Sequence, residues 1–257
     1  MHNEAIEQHM KHRFEVVFCD LGDTLMYDKE PWEPIFPRAD AAMRRSLEMA
    51  GYPLAENAYG EFNTIFDMYY HRRSGTVEEE TTVQLLRELM DKQGAYPPDP
   101  VLFAAMEAMY TVTQENWYVE EDAIPTLKTL RKNGYCLGMI SNAADDENVQ
   151  ELVDKGQLRP YFDYILSSAA CGIRKPASQI FQRALDYFKV SPNKTVMIGD
   201  TLDADILGAN RMGIYSIWIS RRAPFPPEGE LPVQPQAVIS TLSEMPELLE
   251  ELEGESV

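Results

Sequence analysis

Short apolar runs alternate with amphipathic segments over the second half of the chain, from about residue 122 onwards. The amphipathic segments repeat apolar residues at three- and four-residue steps, which predicts helices, and the continuous apolar runs predict buried strands. The predicted strands cover residues 135–140, 164–167, 195–198, 214–219 and 237–239, and the predicted helices cover 123–132, 147–155, 178–188, 203–212 and a segment from 243. This alternation predicts an α/β fold, a parallel sheet with helices on both faces.

A further apolar run, residues 14–19, lies far from the others and ends at Asp20. It predicts another buried strand of the same sheet. Between this run and the alternating region, residues 38–117 show helical periodicity almost throughout, with breaks at 74–75 and 96–100. The apolar stripes of this stretch are Tyr59, Phe62, Ile65, Phe66 and Tyr69, then Leu85, Leu86, Leu89 and Met90, then Leu102, Phe103, Met106, Met109 and Tyr110.

These patterns predict a discontinuous α/β core that consists of residues 14–27 and 118–257. Residues 28–117 are predicted to form a helical cap, inserted after the first strand, whose apolar stripes pack into a core of their own. Residues 1–13 are polar, and we expect a flexible arm there.

The chain is strongly acidic, with 42 Asp and Glu against 23 Lys and Arg and a formal net charge of −19. This balance argues against a nucleic acid or an anionic membrane as a partner. No run approaches the roughly 18–20 apolar residues of a membrane span, and the start of the chain lacks the apolar core of a signal peptide. The three cysteines are far apart, which indicates reduced thiols and a cytoplasmic protein. The oligomeric state is left open.

Four polar clusters follow predicted strands at their carboxyl ends. They are Asp20 with Thr24, then Ser141 with Asn142, then Lys175 with Pro176, and finally Gly199 and Asp200 with Asp203 and Asp205. Each cluster alone has an ordinary explanation, such as a turn, a helix N-cap or a solvated loop. The carboxyl ends of parallel strands meet at one edge of a sheet, so all four together indicate one reaction centre.

The residue types in these clusters fit phosphoryl transfer through a covalent carboxylate. An aspartate such as Asp20 is a competent nucleophile toward phosphorus when a metal holds part of its charge. Mg²⁺ prefers oxygen ligands, which Asp20, Asp200 and a backbone carbonyl of the Gly22 turn can supply.

The remaining polar residues suit the phosphoryl group and its neighbours. Ser141 and the backbone N–H groups near it suit a phosphoryl oxygen, and Asn142 and Thr24 are further candidate binding residues. Lys175 would supply positive charge to the transferring group. Asp205 would orient Lys175 or metal-bound water, with Asp23 as another supporting carboxyl.

The motifs resemble those of the haloacid dehalogenase superfamily, with a helical cap inserted between the first and second motifs. The resemblance rests on Asp20-Leu21-Gly22-Asp23-Thr24-Leu25, Ile140-Ser141-Asn142, Gly172-Ile173-Arg174-Lys175-Pro176 and the run of residues 198–209. It implies a Rossmann-like core, Mg²⁺ dependence and, for phosphatase members, a phosphoaspartate intermediate formed on Asp20. A small phosphorylated metabolite is the expected substrate.

One position departs from the phosphatase pattern, which has a second aspartate two residues after the nucleophile as general acid and base. Here that position is Gly22. General acid–base help is worth roughly 10²–10⁴ in rate. Asp23 is an alternative proton donor, although its side chain is expected to point elsewhere; a cap residue or water is another. We expect slow turnover, or turnover restricted to substrates with good leaving groups.

Two rival functions remain open. Dehalogenase members also lack the second aspartate and carry Ser-Asn at the second motif, as Ser141 and Asn142 do here, but they need no metal. A non-catalytic protein that binds a phosphorylated ligand would also tolerate Gly22. In the cap, Arg72 and Arg73 are candidates for meeting an anionic substrate tail, with solvated arginines as the alternative.

Overall fold

The computed structural model describes residues 13–222 and 233–254. Nearly all of the expected flexible arm therefore lies outside the described residues. The strands are β1 Val16–Cys19, β2 Met26–Asp28, β3 Trp117–Val119, β4 Cys136–Ser141, β5 Tyr164–Ser167, β6 Thr195–Gly199, β7 Tyr215–Ile219 and β8 Ala237–Ile239. The helices are α1 Ile35–Met49, α2 Ile65–Arg72, α3 Thr82–Lys92, α4 Asp99–Gln114, α5 Ala123–Lys132, α6 Asp146–Lys155, α7 Ser168–Cys171, α8 Ser178–Phe188, α9 Leu207–Met212 and α10 Met245–Gly254.

Six strands form one parallel sheet in the order β5-β4-β1-β6-β7-β8. Along β1, Val17 and Cys19 pack into one apolar cluster, whereas Val16 and Phe18 pack into another. Both faces of the sheet are therefore covered, which explains why its strands are continuous apolar runs. The predicted α/β fold is confirmed, and β1 lies at its centre between β4 and β6.

Helices α1 to α4 follow β2 and pack around an apolar cluster of their own. Helix α1 packs mainly against α4, and side chains such as Met43, Leu86 and Met109 have no exposed surface. Four helices with an apolar cluster of their own thus lie between the first and second motifs, and their assignment as a cap stays a prediction. Its exact limits, residues 28–117, stay a prediction.

A two-stranded antiparallel ribbon of β2 and β3 joins the cap to the sheet. The sequence pattern did not predict it, because each strand has only three residues and mixed burial. Tyr118 is exposed there whereas Met26 is buried, so no alternation is long enough to detect.

Helix α2 is shorter than its apolar stripe implied. The side chain of Thr64 accepts a hydrogen bond from the backbone N–H of Asp67, and the carboxylate of Asp67 accepts one from the backbone N–H of Thr64. This capping box starts the helix at Ile65. Tyr59 and Phe62 lie in the preceding turns but still pack against the apolar cluster of the cap.

Among the described residues, the helices are all too short or too polar to cross a membrane.

Candidate active site

Asp20 follows β1 directly and Asp200 follows β6 directly, and these two strands are paired neighbours. The backbone N–H of Asp20 donates to the carbonyl of Ile198, 2.9 Å away, so the chain continues in register beyond the strand. Asp205 comes from the turn after β6. One carboxylate oxygen from each of these three aspartates lies within 4.8 Å of the other two. Carboxylates that are 180 residues apart in sequence thus share one edge of the sheet.

The segment that carries Asp205 is a π-helix, Leu202–Ile206, which the sequence predicted as the first part of an ordinary helix. Asp205 Oδ2 accepts a hydrogen bond from the backbone N–H of Thr201 at 3.0 Å. A Cβ atom on Gly199 would come within 2.2 Å of the Asp205 carboxyl group. Glycine at position 199 therefore lets Asp205 fold back against the end of β6.

Lys175 is almost completely buried and lies between two of the aspartates. Its Nζ atom is 2.6 Å from Asp20 Oδ1 and 2.6 Å from Asp205 Oδ1. It also donates to the carbonyl of Ile140 at 2.6 Å. Burial alone would lower the pKa of Lys175, but the charges of Asp20 and Asp205 outweigh it and raise the pKa. Lys175 is therefore a fixed positive charge at the candidate nucleophile.

Asn142 holds the backbone of Lys175 from both sides. The amide of Lys175 donates to Asn142 Oδ1 at 2.8 Å, and Asn142 Nδ2 donates to the Lys175 carbonyl at 3.0 Å. The side chain of Asn142 thus fixes the loop that carries the lysine. Ser141 ends β4, is buried and lines the same cavity as Asp20.

Thr24 is fully buried, and its hydroxyl group has no hydrogen-bond partner among the described residues. It is not part of the cavity lining, whereas Gly22 and Asp23 are.

A Cβ atom on Gly22 would lie 3.4 Å from the Trp117 ring, which is ordinary contact. Position 22 therefore accepts a Cβ atom at ordinary van der Waals distance from its neighbours.

Asp23 lies in the cavity wall, although its side chain was expected to point elsewhere. Its φ angle of 54° lies in the left-handed region, which aspartate adopts more readily than most residues with a side chain. Burial, followed by the charges of Asp28 and Asp20, raises the pKa of Asp23 to about 6.

The edge of the sheet carries more negative charge than its lysine balances. Burial and the charges of Asp20 and Asp205 raise the pKa of Asp200 to about 8. Burial also raises the pKa of Asp205 to about 6, although Lys175 opposes this shift. A cation at this place would relieve the repulsion.

The donor set fits a divalent hard cation. Asp20 and Asp200 provide carboxylate oxygens that lie close enough to share one ion. The backbone carbonyl of Gly22 belongs to the turn beside them. All of these donors are oxygen atoms, and no histidine or cysteine joins the cluster among the residues that the structure describes.

A cavity of about 450 Å³ lies between the cap and the edge of the sheet. Asp20, Ser141, Lys175 and Asp200 line its core side, and the cap contributes several aromatic rings. The cap residues in the lining include Trp32, Phe36, Phe66, Tyr69, Tyr70, Arg73, Thr76 and Tyr110. The candidate active site is therefore enclosed by both parts of the chain.

A buried glutamate of the cap, Glu79, was missed by the sequence analysis. Its carboxylate accepts hydrogen bonds from Ser168 Oγ and from the Tyr69 hydroxyl group, the latter at 2.9 Å, and lies 3.4 Å from Arg174 Nη1. Ser168 Oγ in turn accepts from the backbone N–H of Ala143 at 2.9 Å. Glu79 thus ties the cap to the loops after β4 and before α8. No sequence signal marks it, because it lies within a run of three glutamates that is typical of a solvated surface.

The comparisons with known proteins agree with this architecture. The model of the haloacid dehalogenase-like hydrolases matches residues 14–213. The chain is 28% identical over 254 residues to haloacid dehalogenase-like hydrolase domain-containing protein 3 from Bos taurus, covering 96% of this chain and 99% of that protein. It is 28% identical over 250 residues to a glyceraldehyde 3-phosphate phosphatase from Pyrococcus furiosus, covering 95% of this chain and 95% of that protein.

A solved structure shows the same arrangement over the full length. It is a 2-haloacid dehalogenase from Pseudomonas syringae pv. Tomato DC3000, with a TM-score of 0.66 and 25% identity, covering 93% of this chain and 99% of that chain. The family model spans all four motifs of the core and the inserted helices. The chain therefore belongs to the haloacid dehalogenase-like hydrolases.

Proposed function

We propose that this protein is a Mg²⁺-dependent phosphatase of a small phosphorylated metabolite and that it acts through a phosphoaspartate on Asp20. The observation that carries the proposal is the grouping of Asp20, Asp200 and Asp205 around Lys175 at the wall of one cavity. The resemblance to a phosphatase of a small phosphorylated sugar supports the substrate class.

In the first half-reaction Asp20 attacks phosphorus. Lys175 donates to Oδ1 of Asp20, so we assign Oδ2 as the attacking oxygen. A bond forms from this oxygen to phosphorus, and the bond from phosphorus to the organic oxygen breaks. Ser141 and the backbone N–H groups after it hold the phosphoryl oxygens. The organic oxygen leaves with the electron pair and takes up a proton from water, because position 22 is glycine and offers no acid.

In the second half-reaction a water molecule attacks the phosphorus of the phosphoaspartate. A bond forms from the water oxygen to phosphorus, and the water gives a proton to the surrounding solvent. The bond between phosphorus and the Asp20 oxygen breaks, inorganic phosphate leaves, and the carboxylate is restored. Mg²⁺ held by Asp20, Asp200 and the Gly22 carbonyl would screen the repulsion between the carboxylate and the anionic substrate. Asp205 holds Lys175 in place throughout.

The test is hydrolysis of p-nitrophenyl phosphate, which has an activated leaving group, with Mg²⁺ and with EDTA. We expect release of p-nitrophenol only with Mg²⁺. Haloacetate hydrolysis that persists in EDTA would instead identify a dehalogenase. Tight Mg²⁺-dependent binding of phosphate esters without turnover would identify a non-catalytic binding protein.

The glycine at position 22 leads to a separate prediction about leaving groups. We expect kcat/KM of the natural protein to fall steeply as the pKa of the leaving alcohol rises, because position 22 offers no proton donor. Gly22→Asp places its Cβ atom at ordinary contact distance from Trp117, 3.4 Å from the ring. We expect it to raise the rate for alkyl phosphates by about 10²-fold or more, but to change p-nitrophenyl phosphate hydrolysis much less.

Gly22→Asn is the matched control, because it has nearly the same shape as aspartate and no acidic proton. Equal rates for the Asn and Asp variants would exclude proton donation at position 22. A flat dependence on leaving-group pKa in the natural protein would show that another group, such as Asp23, already donates the proton.

The crowded aspartates predict how Mg²⁺ affects stability at different pH values. The raised pKa of Asp200 means that the native state keeps a proton that the unfolded state loses above about pH 4. The metal-free protein therefore loses stability as pH rises from about 4 to about 8, through the folded pKa of Asp200. Mg²⁺ needs the deprotonated carboxylate, and at about 100 times its Kd it stabilises the protein by about 2.7 kcal/mol.

Thermal unfolding at several pH values measures this effect. We expect the increase in Tm with Mg²⁺ to be larger near pH 8 than near pH 5. In Asp200→Asn, the metal-free protein should be more stable than the natural chain near pH 8, and Mg²⁺ should no longer raise Tm. An undiminished Mg²⁺ effect in this variant would place the ion elsewhere.

A further inference from the structure

Two neighbouring arginines at the end of α2 have different environments. Arg72 points away from the cavity: its Nη1 and Nη2 atoms donate to both carboxylate oxygens of Glu88, at 2.7 Å and 2.9 Å. It also forms an ion pair with Glu80 at 3.1 Å. Arg73, the next residue, lines the cavity. Arg72 therefore has a structural role within the cap, and Arg73 faces the space where substrate would bind.

Three cations line the cavity, namely Arg73, Arg174 and Lys175. Lys175 is held by two aspartates, and Arg174 is paired with the buried Glu79. Within residues 13–222 and 233–254, Arg73 forms no ion pair and no side-chain hydrogen bond. It is thus the cation of the cavity wall whose charge is not balanced by a protein carboxylate.

The contacts of Arg73 leave its hydrogen-bond donors available. Its guanidinium carbon lies 4.3 Å from the centre of the Tyr70 ring and 5.5 Å from that of Tyr69. In these contacts the guanidinium group lies over aromatic rings, and among the described residues none of its N–H donors forms a hydrogen bond. The two tyrosines therefore hold the group in position without satisfying its donors.

The cavity also has an aromatic wall. Phe36 stacks on Phe66, with 4.6 Å between ring centres, and Trp32 stacks on Phe36 at 5.2 Å. Trp117 lies 5.6 Å from Trp32 and also contacts position 22. Such a wall suits the flat or apolar part of an organic molecule.

We propose that the substrate is a phosphate monoester whose organic part carries a second anionic group, and that Arg73 binds this group. The proposal rests on the phosphatase function proposed above, which places the phosphoryl group at Asp20. Asp20, Asp23, Asp200, Asp203 and Asp205 also line the cavity, and their charges repel a second anion. The second anion is therefore bound at Arg73, where a carboxylate or phosphate can accept two parallel N–H bonds.

A pair of aryl esters tests the proposal. We would use 4-(carboxymethyl)phenyl phosphate and 4-(2-hydroxyethyl)phenyl phosphate, whose leaving groups are similar because a methylene group separates the ring from the substituent. The readout is the ratio of kcat/KM for the carboxylated ester to that for the neutral ester. A charge-assisted pair of hydrogen bonds predicts a ratio between about 10 and about 100 in the natural protein.

Arg73→Gln and Arg72→Gln form a matched pair of variants. We expect Arg73→Gln to lower the ratio to one or below, mainly through KM of the carboxylated ester. Arg73→Lys should restore part of it, since it keeps the charge and loses the bidentate geometry. Arg72→Gln, whose arginine lies outside the cavity, should keep the ratio of the natural protein.

The outcomes separate this inference from the proposed function. A ratio near one in the natural protein, or an unchanged ratio in Arg73→Gln, would overturn the role of Arg73 while hydrolysis of both esters still supported a phosphatase. If neither ester is hydrolysed and p-nitrophenyl phosphate is also inert, the proposed function itself fails. An equal loss of the ratio in both variants would assign the effect to the fold of the cap.

Discussion

Asp20→Asn is expected to lower kcat for p-nitrophenyl phosphate by at least about 10³-fold, because the nucleophile is removed. The substitution keeps the size of the side chain and preserves its oxygen atom as an acceptor for Lys175, which lies 2.6 Å from Oδ1. We therefore expect the variant to fold normally. The measurement is steady-state hydrolysis with saturating Mg²⁺, together with the Tm of both proteins.

Asp203→Asn is the matched control for this experiment. Asp203 lines the same cavity but is exposed and lies outside the group of three aspartates. We expect its kcat to change by less than about tenfold, as for a charge in contact with solvent. Similar losses of kcat in the two variants would mean that the activity depends on the summed negative charge of the cavity rather than on nucleophilic attack by Asp20.

Lys175→Met is expected to have the second-largest effect, on stability as well as on activity. Removing one member of a buried ion pair costs about 3–5 kcal/mol, because the partner charges stay buried without compensation. Here Lys175 has only 3% of its surface exposed and touches both Asp20 and Asp205. We also expect kcat to fall by at least about 10²-fold, since a fixed positive charge beside the transferring group is lost.

Urea unfolding, with and without Mg²⁺, measures the change in stability. Lys194→Met is the surface control: Lys194 is paired with Glu15 at 3.8 Å, and both side chains are partly exposed. We expect a change of less than about 1 kcal/mol there. The double variant Lys175→Met/Asp205→Asn should recover about 1–3 kcal/mol of the loss. A double variant that is less stable than Lys175→Met would contradict the proposed charge balance.

The position of the chemical groups could be predicted because it follows from the order of the strands. Asp20 and Asp200 each follow an apolar run, and parallel neighbours bring their carboxyl ends together. Ser141 reaches the same edge as the last residue of β4, whereas Lys175 reaches it from the loop between α7 and α8. The roles of these residues, however, stay predictions until they are tested by substitution.

The direction of single side chains was beyond the sequence pattern. Arg72 and Arg73 are adjacent and chemically alike, but a step of one residue on a helix rotates the side chain by about 100°. Arg72 therefore pairs with Glu88, whereas Arg73 lines the cavity. The same holds for Glu79, which enters the interior from an acidic surface run because Ser168 and Arg174 lie opposite it.

Local backbone geometry was the other feature that the sequence concealed. The π-helix of Leu202–Ile206 and the positive φ angle of Asp23 depend on contacts with the sheet edge, which no local propensity encodes. The meaning of Gly22 also needed the fold, since only the structure shows the indole of Trp117 against it. The sequence alone shows that position 22 lacks a carboxylate, but it does not show how much space lies between that position and Trp117.

The most direct test of the account is to trap the phosphorylated enzyme during turnover. Protein quenched while it hydrolyses p-nitrophenyl phosphate with Mg²⁺ is reduced with borohydride, which converts an acyl phosphate of aspartate into homoserine, and its peptides are analysed by mass spectrometry. The account predicts homoserine at position 20 and nowhere else among the aspartates of the cavity. Active turnover with an unmodified Asp20, or with the label at another aspartate, would contradict it.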